Sequence, residues 1–156
     1  KLFGSILLDF MVKNNYIDFD LIIPVPLHKS KLKTRGYNQS ELVAKFLSNK
    51  TNITFSNCVK RVKKTKVQNQ LSKRKRQKNI KDAFLLTDLH IINNKKILII
   101  DDIYTTGSTI NECSKPLIEN GANSVCGLTI ARGWKQTIYP QFYPHNPQLL
   151  YAFINL

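Results

Sequence analysis

An α/β fold built on a parallel sheet covered on both faces is what this sequence predicts. Three observations carry that expectation. The chain has 156 residues, 42% of them hydrophobic, enough for one domain with a real core. Its best strand candidates, LII at 21–23, ILII at 97–100 and the start of SVCGLTIAR at 124–132, are apolar runs rather than alternations, which marks strands buried on both faces. Segments with helical spacing separate those runs, as crossover helices do in parallel sheets.

Each element follows in order. Residues 2–17, LFGSILLDFMVKNNYI, carry apolar positions at helical spacing. Leu21, Ile22 and Ile23 form a short buried strand that Pro24 and Pro26 stop. A basic loop, LHKSKLKTRGY, is expected at 27–37. Asn38 or Ser40 then caps a helix whose Leu42, Val43, Phe46 and Leu47 share a face.

Residues 53–64, ITFSNCVKRVKK, read as one short strand. Residues 64–79 are polar, basic and aperiodic, so a flexible basic loop is expected there. IKDAFLLT returns to the core at 80–87, and ILIIDD is the strongest strand. A helix follows over 108–122, with Pro116 predicting a kink or an early break and Gly121 suiting its C-terminus. Another buried strand follows at 124–132. The tail from 133, rich in proline and aromatics, is expected across the surface or at the sheet edge. The whole of 1–156 reads as a single domain.

Charge is extreme and uneven. The net charge is +14, and between Glu41 and Asp82 there is no acid but 13 of the 24 Lys and Arg residues. A polyanion is the sharper explanation, a solvated basic face the plainer one. Cys58, Cys113 and Cys126 are few, far apart and odd in number, so neither a disulfide framework nor a zinc site is expected in this chain. A reducing cytoplasm fits them. No apolar run approaches the ~20 residues needed to span a bilayer, so an integral membrane protein is not expected. The first residue is Lys1 rather than Met, so the natural N-terminus is expected upstream.

Chemistry concentrates at residues 97–109, ILIIDDIYTTGST. In parallel sheets, ligands bind beyond the C-terminal strand ends, where Asp101, Asp102 and the following loop fall. Two adjacent carboxylates repel, and a metal ion, sugar hydroxyls or a nearby cation would offset that. The loop Thr105, Thr106, Gly107, Ser108 and Thr109 opens a helix, and free N–H groups with the helix dipole favour an anion, phosphate above all. A sugar phosphate would span such a site, ring on the carboxylates and 5′-phosphate in the loop. A structural Asp pair followed by an ordinary N-cap is the alternative. There is no GxxxxGK[ST] and no GxGxxG, which removes the Walker loop and the dinucleotide fingerprint.

A run of aliphatics, two acids and a TTGST loop resembles the phosphoribosyl pyrophosphate (PRPP) motif of type I phosphoribosyltransferases. IIPVPLHKSKLKTRGYNQSELVA at 22–44 is similar to the PVPLH…RG[FY]NQ segment of the ComF family. Arg61, Thr65, Gln68, Leu71, Arg76, Asn79, Ala83 and Phe84 resemble that family's spaced signature. The resemblance covers about 18–132. The cysteine-rich zinc-binding segment that precedes the domain in the family is not in this chain, and the tail after Arg132 lies outside the signature.

The resemblance implies the three-layer parallel sheet of the type I phosphoribosyltransferase kind. It implies that Asp101 and Asp102 are the catalytic carboxylates and bind the ribose hydroxyls, directly or through Mg²⁺. Thr105, Thr106, Gly107, Ser108 and Thr109 would hold the 5′-phosphate. His28, Lys29 and Arg35 would reach pyrophosphate, joined by Lys73, Arg74 and Arg76 of a lid at 65–79. His28 is either a general acid or a structural hydrogen-bonder. Arg61 either binds phosphate or ends a strand. Trp134, Tyr139, Phe142 and Tyr143 either stack on bases or pack.

Mg²⁺ and PRPP, as substrate or ligand, are the implied small molecules. The family setting implies a role in natural competence, handling single-stranded DNA in the cytoplasm, with the inner face of the membrane as one location. Competence-machinery proteins are then potential partners. Lys73, Arg74, Lys75 and Arg76, within a basic stretch at 60–81, are the expected nucleic-acid contacts. Two other readings remain open: a non-catalytic PRPP-sensing DNA-binding module, and a salvage enzyme acting on a free nucleobase.

Overall fold

The structure is a computed structural model that describes residues 2–64, 80–132 and 149–153, the backbone alone at 130–132 and 149–153. Helix α1 (Leu2–Lys13) leads to strand β1 (Leu21–Pro24). Helices α2 (Lys29–Arg35) and α3 (Gln39–Thr51) follow, then β2 (Thr54–Phe55). Strands β3 (Val59–Arg61) and β4 (Phe84–Leu86) pair with each other, and a 3-10 turn spans His90–Ile92. The rest is β5 (Lys96–Tyr104), α4 (Ser108–Glu119), β6 (Ser124–Arg132) and β7 (Leu149–Phe153).

The main sheet runs β2-β1-β5-β6-β7, and every neighbouring pair is parallel. Its centre is aliphatic because both faces are covered. Along β5 the side chains alternate between two cores. Ile97 and Ile99 pack with Ile110, Cys113 and Leu117 of α4, and with Val59 and Phe84 of the β3–β4 pair. Leu98 and Ile100 pack with Leu7 and Met11 of α1 and with Val43, Ala44 and Leu47 of α3. The three layers are thus one sheet and two different covers. Gly4 sets the spacing of α1 and α3: a Cβ there would stand 2.5 Å from the Phe46 ring.

Several expectations are corrected. The segment read as a basic loop at 27–37 holds α2. The single strand expected over 53–64 is two, β2 in the main sheet and β3 in a separate antiparallel pair. Pro116 neither breaks nor shortens α4, which continues to Glu119. Asn38 occupies the N-cap position of α3 but its side chain makes no capping bond, and its Nδ2 donates to the Val25 carbonyl at 3.0 Å instead. The tail, by contrast, meets its expectation, supplying edge strand β7 beside β6. The expected lid at 65–79, with Lys73, Arg74, Lys75 and Arg76, lies outside the described residues, as do Trp134, Tyr139, Phe142 and Tyr143. No described helix is long and apolar enough to cross a membrane.

Candidate functional site

Strand β5 delivers the carboxylates. Ile97 through Ile100 are fully buried, so Asp101 follows the core directly and keeps only 6% exposure. Strand alternation puts it on the same face as Ile97 and Ile99, towards α4. Its Oδ1 accepts the Asp102 N–H at 2.9 Å, and Asp102 Oδ1 accepts the Ile103 N–H at 2.8 Å. Burial, and then the Asp102 charge beside it, push the Asp101 carboxyl up to about 7, with Arg61 pulling the other way. Across the sheet, Asp101 pairs in register with Thr129, whose buried Oγ1 has no hydrogen-bond partner.

The loop after β5 turns at Gly107, which has φ +73° and precedes α4. A side chain is excluded twice over there. The backbone is left-handed, and a Cβ would lie 3.0 Å from the Tyr104 ring. Thr106 Oγ1 and Ser108 Oγ are 2.7 Å apart, and Thr106 Oγ1 accepts the Ser108 N–H at 3.4 Å, while the N-cap residue Gly107 has no side chain to cap α4. The N–H groups that follow in the first turn have no acceptor within the helix.

A cavity of about 460 Å³ joins these parts. Asp101, Asp102, Thr105 and Thr109 form one side. His28, Lys31 and Arg35 come from the β1–α3 connection, and Asn38, Gln39 and Ser40 from the start of α3. Arg61 and Lys64 come from β3 and the residues after it. The structure thus brings together the carboxylates, the ends of the TTGST loop, His28 and Arg35. Lys29 is exposed and does not line the cavity, and neither do Thr106, Gly107 and Ser108.

His28 caps α2. Its Nδ1 accepts the Ser30 N–H at 3.3 Å and lies 2.9 Å from Ser30 Oγ. Arg61 lies over the Phe84 ring, 5.6 Å from its centroid. Burial lowers its guanidinium and the nearby Asp101 charge opposes this. Sequence reasoning missed Lys31, Gln39, Ser40 and Lys64 as wall residues. The basic run was visible, but its folding into α2 beside the carboxylates was not.

Two carboxylates suit a hard cation that completes its shell with substrate oxygens and water. The raised carboxyl of Asp101 is the observation that fits one: an added positive charge would relieve the crowding of the pair. Asp101 and Asp102 would hold it. The thiols of Cys58, Cys113 and Cys126 are free and buried, and burial pushes all three up, away from the reactive thiolate.

Comparison with known proteins decides the family. The family model described as phosphoribosyl transferase domain matches residues 38–145. The chain belongs to that family. Among curated relatives, this phosphoribosyl transferase domain is 40% identical over 115 residues to "Competence protein F" of Haemophilus influenzae, covering 72% of this chain and 50% of that protein. It is 30% identical over 116 residues to "Competence protein ComFC" of Bacillus subtilis, covering 72% and 44%. These relatives mark it as a ComF-type phosphoribosyltransferase domain. The chain spans about half the length of the curated relatives it matches. The crystal structure of adenine phosphoribosyltransferase from Saccharomyces cerevisiae shares the fold, with a TM-score of 0.55 at 14% identity over 85% of this chain and 66% of that one.

Proposed function

We propose that this domain binds PRPP with Mg²⁺ and transfers its phosphoribosyl group to an acceptor, within a protein of DNA uptake. One observation carries the reading. A single cavity has the carboxylate pair and the start of the α4 loop on one side, and cations with the start of α3 on the other. Those parts match the three regions of the ligand. The 5′-phosphate belongs at the start of α4, with Thr105 and Thr109 beside it. The ribose hydroxyls belong on Asp101 and Asp102. The pyrophosphate belongs against Lys31, Arg35, Arg61 and Lys64, and against the start of α3, which also lacks a side-chain cap.

Such a transfer needs no nucleophile from the protein. As the C1–oxygen bond breaks, positive charge develops on the ribose and negative charge on the departing pyrophosphate. Asp101 and Asp102 favour the first, and the cationic wall favours the second. Bound Mg²⁺ supplies further positive charge to substrate oxygens. The loop and the carboxylates fix the sugar at both ends, which turns binding into orientation. The 65–79 segment, basic and polar, completes the reading as the cover that shields the reacting ribose from water. The names of the relatives, competence proteins both, support the DNA-uptake setting, as does the charge of +14.

Calorimetry with Mg²⁺–PRPP tests the reading. Asp101→Asn with Asp102→Asn should weaken binding at least ~10-fold, about 1.4 kcal/mol. Gly107→Val should weaken it too, by distorting the turn. Unchanged affinity in both variants would defeat the reading. Pyrophosphate release with nucleobases or DNA as acceptors then separates a transferase from a module that only binds.

A further inference from the structure

Strands β3 and β4 stand apart from the main sheet, yet two cations of the cavity wall, Arg61 and Lys64, come from the end of β3 and the residues after it. What aims them is the seating of the β3–β4 pair on α4. Apolar contacts supply the bulk of that seating: Val59, Ala83 and Phe84 pack with Ile110, Cys113 and Leu117. Such contacts are non-directional, and alone they let a strand pair slide along a helix.

A small polar cluster fixes the position. The Asp82 N–H donates to Glu112 Oε2 of α4 at 3.1 Å, across 30 positions of sequence. Glu112 Oε1 pairs with Lys115. Asp82 has a left-handed backbone, φ +52°, which a residue other than glycine keeps where its surroundings hold it. From the β3 side, Lys63 Nζ donates to the Lys81 carbonyl at 2.9 Å, and the Val62 N–H to the Ala83 carbonyl at 2.8 Å. Arg61 and Lys64 flank these ties.

Charge pairing does not account for the cluster. Lys63 and Asp82 stand 3.8 Å apart with the Asp82 side chain 68% exposed, and so open a pair contributes little. Glu112 keeps only 13% of its side chain exposed. The N–H that it accepts belongs to the turn behind the wall. Neither Glu112 nor Asp82 lines the cavity. One helix thus serves both ends of the site. Thr109, in the first turn of α4, lines the cavity, and Glu112, three residues on, grips the β3–β4 pair.

We infer that Glu112 is a positioning residue for the pyrophosphate end of the cavity. Its bond to the Asp82 N–H sets Arg61 and Lys64 at a fixed distance from the α4 loop, so that one ligand meets both. The inference rests on the PRPP reading for what that wall binds.

Calorimetry of the full chain with three probes tests it: Mg²⁺–PRPP, Mg²⁺–pyrophosphate and ribose 5-phosphate. The last reaches the carboxylates and the α4 loop but not the cationic wall. Glu112→Leu removes the acceptor. It should weaken PRPP and pyrophosphate binding about 5-fold, the worth of one directional bond, and leave ribose 5-phosphate unchanged. Glu112→Gln should bind all three as the native chain does, because its amide oxygen still accepts the Asp82 N–H. Lys115→Met should do the same, which separates the hydrogen bond from the ion pair. Hydrogen exchange supplies a readout without ligand: the Asp82 amide should exchange faster in Glu112→Leu and at the native rate in Glu112→Gln. Should Glu112→Leu fail to fold, Glu112→Asp keeps the charge, withdraws the carboxylate by one methylene, and should show the same split between probes.

Unchanged pyrophosphate affinity in Glu112→Leu overturns the inference. So does an equal fall for ribose 5-phosphate, which would make Glu112 a stability residue for the whole site. A loss in Glu112→Gln as large as in Glu112→Leu overturns it too, since charge rather than the bond to Asp82 would then matter. If the native chain binds no PRPP, the cavity reading falls and takes this inference with it. A native chain that binds, beside a Glu112→Leu chain that binds equally well, removes this inference alone.

Discussion

Asp101 carries the conflict between core and site in one side chain. It follows four fully buried aliphatic residues and has a second carboxylate next to it. Both burial and the Asp102 charge favour its protonated form, moving it from the ordinary 3.8 to about 7. A carboxyl raised on folding contributes stability that is complete below about pH 4 and is lost as pH rises through about 7. The ligand-free domain should therefore melt at a lower temperature at pH 8 than at pH 5. Asp101→Asn should flatten that dependence and raise the melting temperature at pH 8, as calorimetry across the two pH values would show. An unchanged slope in the variant would place the pH dependence elsewhere. The carboxylates were legible in the sequence because a strand and its end residues are contiguous. Arg61 was legible as a candidate, but its place beside Asp101 was not, because that depends on β3 and β4 coming together across the chain.

Elements were legible where burial imposes a period. Helix α3 shows it, with Val43, Ala44 and Leu47 buried on one face, although Leu42, expected there, is exposed. Helix α2 leaves no such trace, since it buries nothing and is set by its caps alone. Helix α4 misled for another reason. Pro116 lies one turn from the end of the helix, so few intrahelical bonds follow it, and Asn120 Nδ2 donates to the Pro116 carbonyl at 2.8 Å. The α1–α3 contact supplies a test of packing at this scale. Gly4→Val places carbon where the Phe46 ring already lies. It should destabilise the domain by about 1–3 kcal/mol, the usual range for overpacking, measured as a shift in urea midpoint. A midpoint unchanged from the native chain would mean that α1 is free to move away from α3.

For the whole molecule, the three-layer architecture was readable from aliphatic strands with helices between them. Strand order was not, because β1 lies between β2, the next strand in sequence, and β5, far along the chain. The expected position of the carboxylates beyond a strand end followed from the parallel sheet, whereas the far wall of the cavity needed three dimensions. Charge acts at this scale too. With +14 on 156 residues the folded chain repels itself. Added salt shortens the reach of that repulsion to about 10 Å at 0.1 M. The melting temperature should therefore rise between 20 and 200 mM sodium chloride. A melting temperature that fell with salt would mean that the described ion pairs outweigh the net repulsion.

The pairing of β1 with β5 also fixes a sequence in time. Leu21 meets Ile97, and the Asp20 N–H donates to the Lys96 carbonyl at 2.9 Å, 76 positions further along. Contacts this distant in sequence slow folding, because a large loop must close before they form. On a ribosome adding 5–20 residues per second, the first strand waits about 4–15 s for its central neighbour to be made. Through that interval Ile22 and Ile23 lack the sheet that buries them, and the nascent chain depends on other cover for its apolar surface.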